Sequence, residues 1–131
     1  MTKARKSTAA AVKQPPAPGP SEALCAELVA SLQDKKAKDI VLLDLRKVNP
    51  YFDYFVIASA GSRMQLKSMA RDMQKKFSNL ARKNSSISAD DVESGWMVVD
   101  FIDVVVHLFL EEQRAYYNLE RLWGDAKITR I

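Results

Sequence analysis

Asp100, Asp103, the pair Gly61-Ser62, the lone His107 and the lone Cys25 are the residues of this chain whose types suit chemistry. Paired carboxylates can hold the metal ions used in nucleotidyl transfer, which would make a magnesium-dependent nucleotidyltransferase-like enzyme of the chain. That work wants the two acids one residue apart on a strand, where both side chains share a face. Here they stand three apart across a turn, so capping and solvating the end of a hairpin is the simpler role. Gly61-Ser62 lacks the longer glycine-rich loop that wraps a phosphate in backbone N–H groups, and Ser62 as a helix cap accounts for it. His107 sits among valines with no second histidine, cysteine or serine pattern to complete a metal site or a triad. A single cysteine excludes an internal disulfide and a cysteine-based zinc cluster, and it fits a reducing compartment such as the cytoplasm. Cys25 falls on an apolar helix face and reads as core. Neither a metal nor a cofactor is implied.

The aromatic residues point elsewhere. Trp96, Phe101, Tyr116, Tyr117 and Trp123 all lie in the last third, interleaved with Glu111, Glu112, Arg114, Glu120 and Arg121. Trp, Tyr and Arg are the side chains enriched in protein-binding hot spots. Trp123 and one tyrosine suit the core. Adjacent residues of a helix point about 100° apart, so Tyr116 and Tyr117 cannot be buried alike and one is left for a partner.

These residues must be positioned by a single domain. At 131 residues, 47% hydrophobic and 27% charged, the chain has the size and composition of one soluble globular core. Its net charge of +4 is unevenly spread. Lys3, Arg5, Lys6 and Lys13 lie in the first 20 positions with no acid, so the other 16 basic residues face all 16 acids over residues 21–131. The folded part is formally neutral, which argues against a large electrostatic footprint on phosphates, and the cluster Lys75, Lys76, Arg82, Lys83 suits the solvated end of a helix. Residues 1–20, rich in Ala and Pro, cannot bury enough surface to offset the entropy of ordering and are expected to be a disordered basic tail. The apolar segment of a signal peptide is missing from it, and no run elsewhere is long enough to span a membrane.

Ser21 is expected to cap a helix carrying Leu24, Cys25, Leu28, Val29 and Leu32 on one face. Ile40 to Leu43 and Tyr54 to Ala58 are short continuous apolar runs, as expected of strands covered on both faces. Ser62 with Gln65 makes a capping box for a helix with Leu66, Met69, Ala70, Met73, Phe77 and Leu80 inward. Lys83 to Ser94 reads as a loop with at most a short strand near Ile87. Trp96 to Val99 and Val104 to Phe109 read as an antiparallel hairpin tightly linked at Phe101-Ile102. A last helix from about Glu111 to Trp123 has two acids in its first turn and Gly124 after its end. The order α-β-β-α-(β)-β-β-α predicts an α/β domain over residues 21–131, a mixed sheet of four to five strands with helices packed on it.

The segments Asp39 to Asp44, Asp53 to Ala58, Gly95-Trp96 through Asp100-Phe101, Asp103 to His107 and Arg114 to Asp125 resemble, in order, those of the Iojap family of ribosomal silencing factors. The resemblance covers about residues 22–126. It implies a nucleotidyltransferase-like fold without demonstrated catalysis. It also implies a non-enzymatic factor that docks on the large ribosomal subunit through ribosomal protein number fourteen (uL14), stops the small subunit from joining, and so represses translation. The docking surface carries over onto Trp96, Val98, Asp100 and Phe101, with His107 beside them. Many members have glycine where Ile102 stands and proline where Glu111 stands, which bears on the hairpin turn and on the start of the last helix. The enzyme using Asp100 and Asp103, and an RNA-binding large-subunit assembly factor working through the basic tail, are the alternatives. No membrane and no sequence-specific nucleic-acid partner is implied, and monomer and homodimer both stay open.

Overall fold

The computed structural model describes residues 19–80 and 89–131. Nearly all of the expected tail, and the expected strand near Ile87, lie outside them. Helix α1 (Pro20–Asp34) starts one residue before Ser21, with Gly19 as its cap. The Gly19 N–H donates to Glu22 Oε1 at 3.1 Å, so Pro20, which has no N–H to satisfy, takes the first helical position. Ser21 instead donates its hydroxyl to Asp53 Oδ2 at 2.7 Å and ties α1 to the sheet.

Strands β1 (Lys38–Asp44) and β2 (Tyr54–Ala60) run antiparallel, and α2 (Arg63–Lys76) carries the chain over the sheet. A short α3 (Ala89–Ser94) follows, where a loop was expected. Its two acids in the first turn favour a helix that residue patterning alone does not mark. β3 (Trp96–Asp100) and β4 (Val104–Leu110) form the expected antiparallel hairpin. β4 pairs in parallel with β2 from Tyr54↔Val104 to Ala60↔Leu110. The expected last helix is broken into α4 (Glu111–Tyr117) and α5 (Leu119–Leu122) by Asn118, at φ 44° and ψ 59°. Asn is among the few side chains that take this left-handed conformation readily. β5 (Lys127–Arg130) then pairs antiparallel with β1. The mixed sheet has the order β3-β4-β2-β1-β5, and its fifth strand lies at the C-terminal end of the sequence.

Period-two alternation divides the sheet into two faces. On one, Val56, Ala58, Met97, Val99, Val104, Val106 and Leu108 meet Cys25, Leu28 and Leu32 of α1 and Leu66, Met69, Ala70 and Met73 of α2. β2 is buried at every position, which is why its sequence reads as a continuous apolar run. Ser62 Oγ caps α2 by accepting the Gln65 N–H at 3.1 Å, and Gln65 Oε1 accepts the Gly61 N–H at 2.8 Å. Leu80, expected inside, lies past the end of α2 and is exposed. The other face, carrying Val41, Leu43, Phe55, Ile57, Val105 and Phe109, is covered by Leu119, Trp123 and Ala126 of the C-terminal segment, with Phe52 and Trp96 also packed against it.

The β3–β4 link is a strained turn. Ile102 stands at φ +75°, and the Asp103 N–H donates to the Phe101 carbonyl at 3.0 Å, closing a three-residue γ-turn. A β-branched residue pays a steric penalty at positive φ that glycine does not. Ile102→Gly is therefore expected to stabilise the domain by about 1 kcal/mol, net of the chain entropy that glycine adds to the unfolded state. Urea unfolding of the two proteins checks it, and an unchanged or lower midpoint would show that the turn is not strained.

Candidate docking surface on the β3 edge

β3 is an edge strand on the half-covered side of the sheet, and alternation sends Trp96, Val98 and Asp100 to that side. Gly95, at φ +79°, turns the chain into β3, and a side chain there would strike Gln113 at 2.9 Å. The Gly95 carbonyl accepts the Leu110 N–H at 2.9 Å, which sets the start of the hairpin. The positive φ favours glycine here, and any larger side chain would also have to displace the end of Gln113.

Trp96 is half-buried. Its indole stacks on Phe109 at 5.2 Å between centroids and touches Tyr117 at 4.7 Å, while Nε1–H donates to His107 Nδ1 at 3.2 Å. His107 lies opposite Val98 across the hairpin, is 7% exposed, and meets the Phe55 ring edge-on at 4.6 Å. With Nδ1 accepting, the proton of the neutral ring belongs on Nε2, which is buried and has no partner among the described residues. Val98 is 46% exposed and Asp100 half-buried. Tyr117, 45% exposed, extends the patch, and Tyr116 beside it is more exposed still, whereas both Trp96 and Trp123 are half-buried.

Of the expected docking residues, Trp96, Val98, Asp100 and His107 come together on one face. Phe101 does not join them, which corrects its expected place. It lies past the strand end, 4% exposed, with its ring edge-on to Phe77 at 6.0 Å on the α2 side. The alternation that puts Met97 and Val99 of β3 on the α2 side continues through Phe101 and sends it to that side too. Tyr117 was the contact that sequence reasoning left unplaced; its adjacency to Tyr116 marked the pair but could not say which of them meets Trp96.

Burial holds the His107 imidazole down at about 4, from an ordinary 6.5. The folded protein keeps it neutral where the unfolded chain begins to bind a proton below about pH 6.5, so stability falls as pH drops through this window. The loss expected between pH 6.5 and pH 5 is about 2 kcal/mol, reaching its limit once the pH is below 4. Urea midpoints against pH test this, with His107→Gln as the comparison. A wild-type profile no steeper than that of the variant would refute it.

The chemical alternatives find little here. Asp100 Oδ1 accepts the Ile102 N–H at 2.7 Å and so caps the turn, as the spacing suggested. No group of three or more His, Cys, Asp or Glu side chains among the described residues could share a metal ion. Cys25 is buried on α1 and burial pushes its thiol up to about 12, which makes it a core residue rather than a nucleophile. Among the described residues, no helix is long and apolar enough to cross a membrane.

A family model described as "Ribosomal silencing factor during starvation" matches residues 18–131. A Bacillus subtilis protein named as a ribosomal silencing factor is 38% identical over 102 residues, covering 78% of this chain and 86% of its own. A mouse protein named "Mitochondrial assembly of ribosomal large subunit protein 1" is 34% identical over 114 residues, covering 81% of this chain and 50% of its own. The crystal structure of a Chromobacterium violaceum protein superposes with a TM-score of 0.67 at 34% identity, covering 78% of this chain and 84% of that one. Both named relatives carry the names of ribosomal factors. With the profile spanning nearly the whole described domain, and the fold shared with these relatives, the chain belongs to the family of ribosomal silencing factors.

Proposed function

We propose that this protein binds the large ribosomal subunit through ribosomal protein uL14 and sterically blocks the small subunit, repressing translation in the cytoplasm without chemistry of its own. The observation that carries this reading is the half-covered sheet face at the β3 edge. There a family member whose Asp100 is engaged in its own turn presents Trp96, Val98 and Tyr117 as an aromatic and aliphatic surface. A compact interface needs an apolar centre with polar atoms at its rim, and Asp100 supplies the rim. Blocking works by occupancy. At a free concentration ten times its dissociation constant, the factor weakens subunit joining about tenfold, or roughly 1.4 kcal/mol.

The test is sucrose-gradient sedimentation of purified subunits with and without the protein. It is expected to travel with the large subunit and to keep the subunits apart. A protein that stays at the top while whole ribosomes form would overturn the reading. The name of the mouse relative favours a second role in large-subunit assembly, and the same gradients run on depleted cells would show it as incomplete large subunits.

A further inference from the structure

On the opposite side of the sheet, α2 carries Arg63, Lys67, Arg71, Lys75 and Lys76 against the single acid Asp72, although residues 21–131 taken together are neutral. Four of these cations repeat every four residues and form one slanted row along the helix. Successive members climb about 6 Å along the axis, close to the separation of neighbouring phosphates on a nucleic-acid strand. The acid lies on the other flank, where Asp72 takes Lys76 at 3.4 Å and the Ser31 hydroxyl at 3.4 Å. Arg63 donates to the Glu93 carbonyl at 3.1 Å, near the acids Asp90, Asp91 and Glu93 of α3. Lys67, Arg71 and Lys75 are exposed and hold no carboxylate among the described residues.

Nothing in the folding of the helix calls for this row. Like charges four residues apart repel on a helix, and Arg63 in the first turn opposes the helix dipole. The dipole favours Lys75 at the far end but leaves Lys67 and Arg71 unexplained. A membrane surface would want a row of apolar side chains beside the cations, whereas the apolar face of α2 is committed to the core and only Met64 stands exposed beside them among the described residues. A protein partner would want an aromatic anchor, and this flank offers none.

We infer that Lys67, Arg71 and Lys75 form a contact for the phosphate backbone of structured RNA, independent of sequence. The silencing reading enters only in naming ribosomal RNA as its source. Free RNA is therefore the probe, a fluorescein-labelled RNA hairpin titrated with the full chain and read by anisotropy over a range of salt. Lys67→Gln/Arg71→Gln/Lys75→Gln is expected to weaken binding at least tenfold at low salt. It should also flatten the slope of log affinity against log salt by about one for each cation removed. Arg71→Gln alone should flatten it by about one, and Trp96→Ala should leave it unchanged, which separates this contact from the docking face. Circular-dichroism melts confirm that the variants fold. Equal affinity and slope in the triple variant would overturn the inference. So would wild-type binding of polyglutamate or phosphatidylserine vesicles as tight as that of RNA.

Discussion

Trp96→Ala is expected to weaken binding to the large subunit at least about 30-fold, the equivalent of about 2 kcal/mol, because a half-buried aromatic at the centre of a patch is where interface energy concentrates. The indole is held for this by the stack on Phe109, the contact with Tyr117 and the hydrogen bond to His107. Truncation also empties space beside the core, so some stability is lost with it. Val98→Asp separates the two effects. Val98 is 46% exposed, so a carboxylate there costs the free protein little, whereas on docking it would be taken from water without a partner. Co-sedimentation with purified large subunits measures both variants, and urea unfolding confirms their folds. Two folded variants that bind as well as wild type would remove this face from the docking surface, whatever the gradients say of silencing.

Arg114→Met is expected to have the largest effect on stability, a loss of about 3 kcal/mol and roughly 15 °C in Tm. The guanidinium joins three elements. It donates from Nη2 to Glu120 Oε2 at 2.8 Å, and from Nη1 to the Asp39 carbonyl at 2.6 Å and Ser59 Oγ at 2.8 Å. Its side chain is 11% exposed and that of Glu120 18%, so the pair is largely withdrawn from water. Asp39 stands at φ +50° where the β1–β2 register shifts, and Arg114 pins the carbonyl of that irregularity. Removing it leaves Glu120 without its ion pair and Ser59, 1% exposed, without its donor. Adding Glu120→Gln to Arg114→Met should recover part of the loss, since the stranded charge is then gone. Thermal melts of the two single variants and the double one decide it. A single variant that melts within a few degrees of wild type would show that the ring of hydrogen bonds is incidental.

The chain spells out whatever depends on neighbours along it. α2 and its Ser62 cap, the buried runs of β2 and β4, the β3–β4 hairpin and the core place of Cys25 were all legible. Each follows from residue types at fixed local spacing and from the entropy and burial that spacing dictates. Asp100 could likewise be read as a turn-capping group from its spacing alone. Only the folded molecule decided the rest. Lys127–Arg130 has no apolar alternation and is exposed at every position, so it is a strand only because β1 offers an open edge to pair with. Asn118 breaks the last helix because Leu119 and Trp123 must turn back over Phe55 and its neighbours, a demand set by the far side of the sheet. Phe101, by contrast, was legible in the sequence, because it follows Asp100 on an extended segment and period-two alternation alone sends the two to opposite faces. Which aromatic residues stay open to a partner depends on how far the C-terminal segment covers that face of the sheet, where contacts distant in sequence outweigh the local pattern.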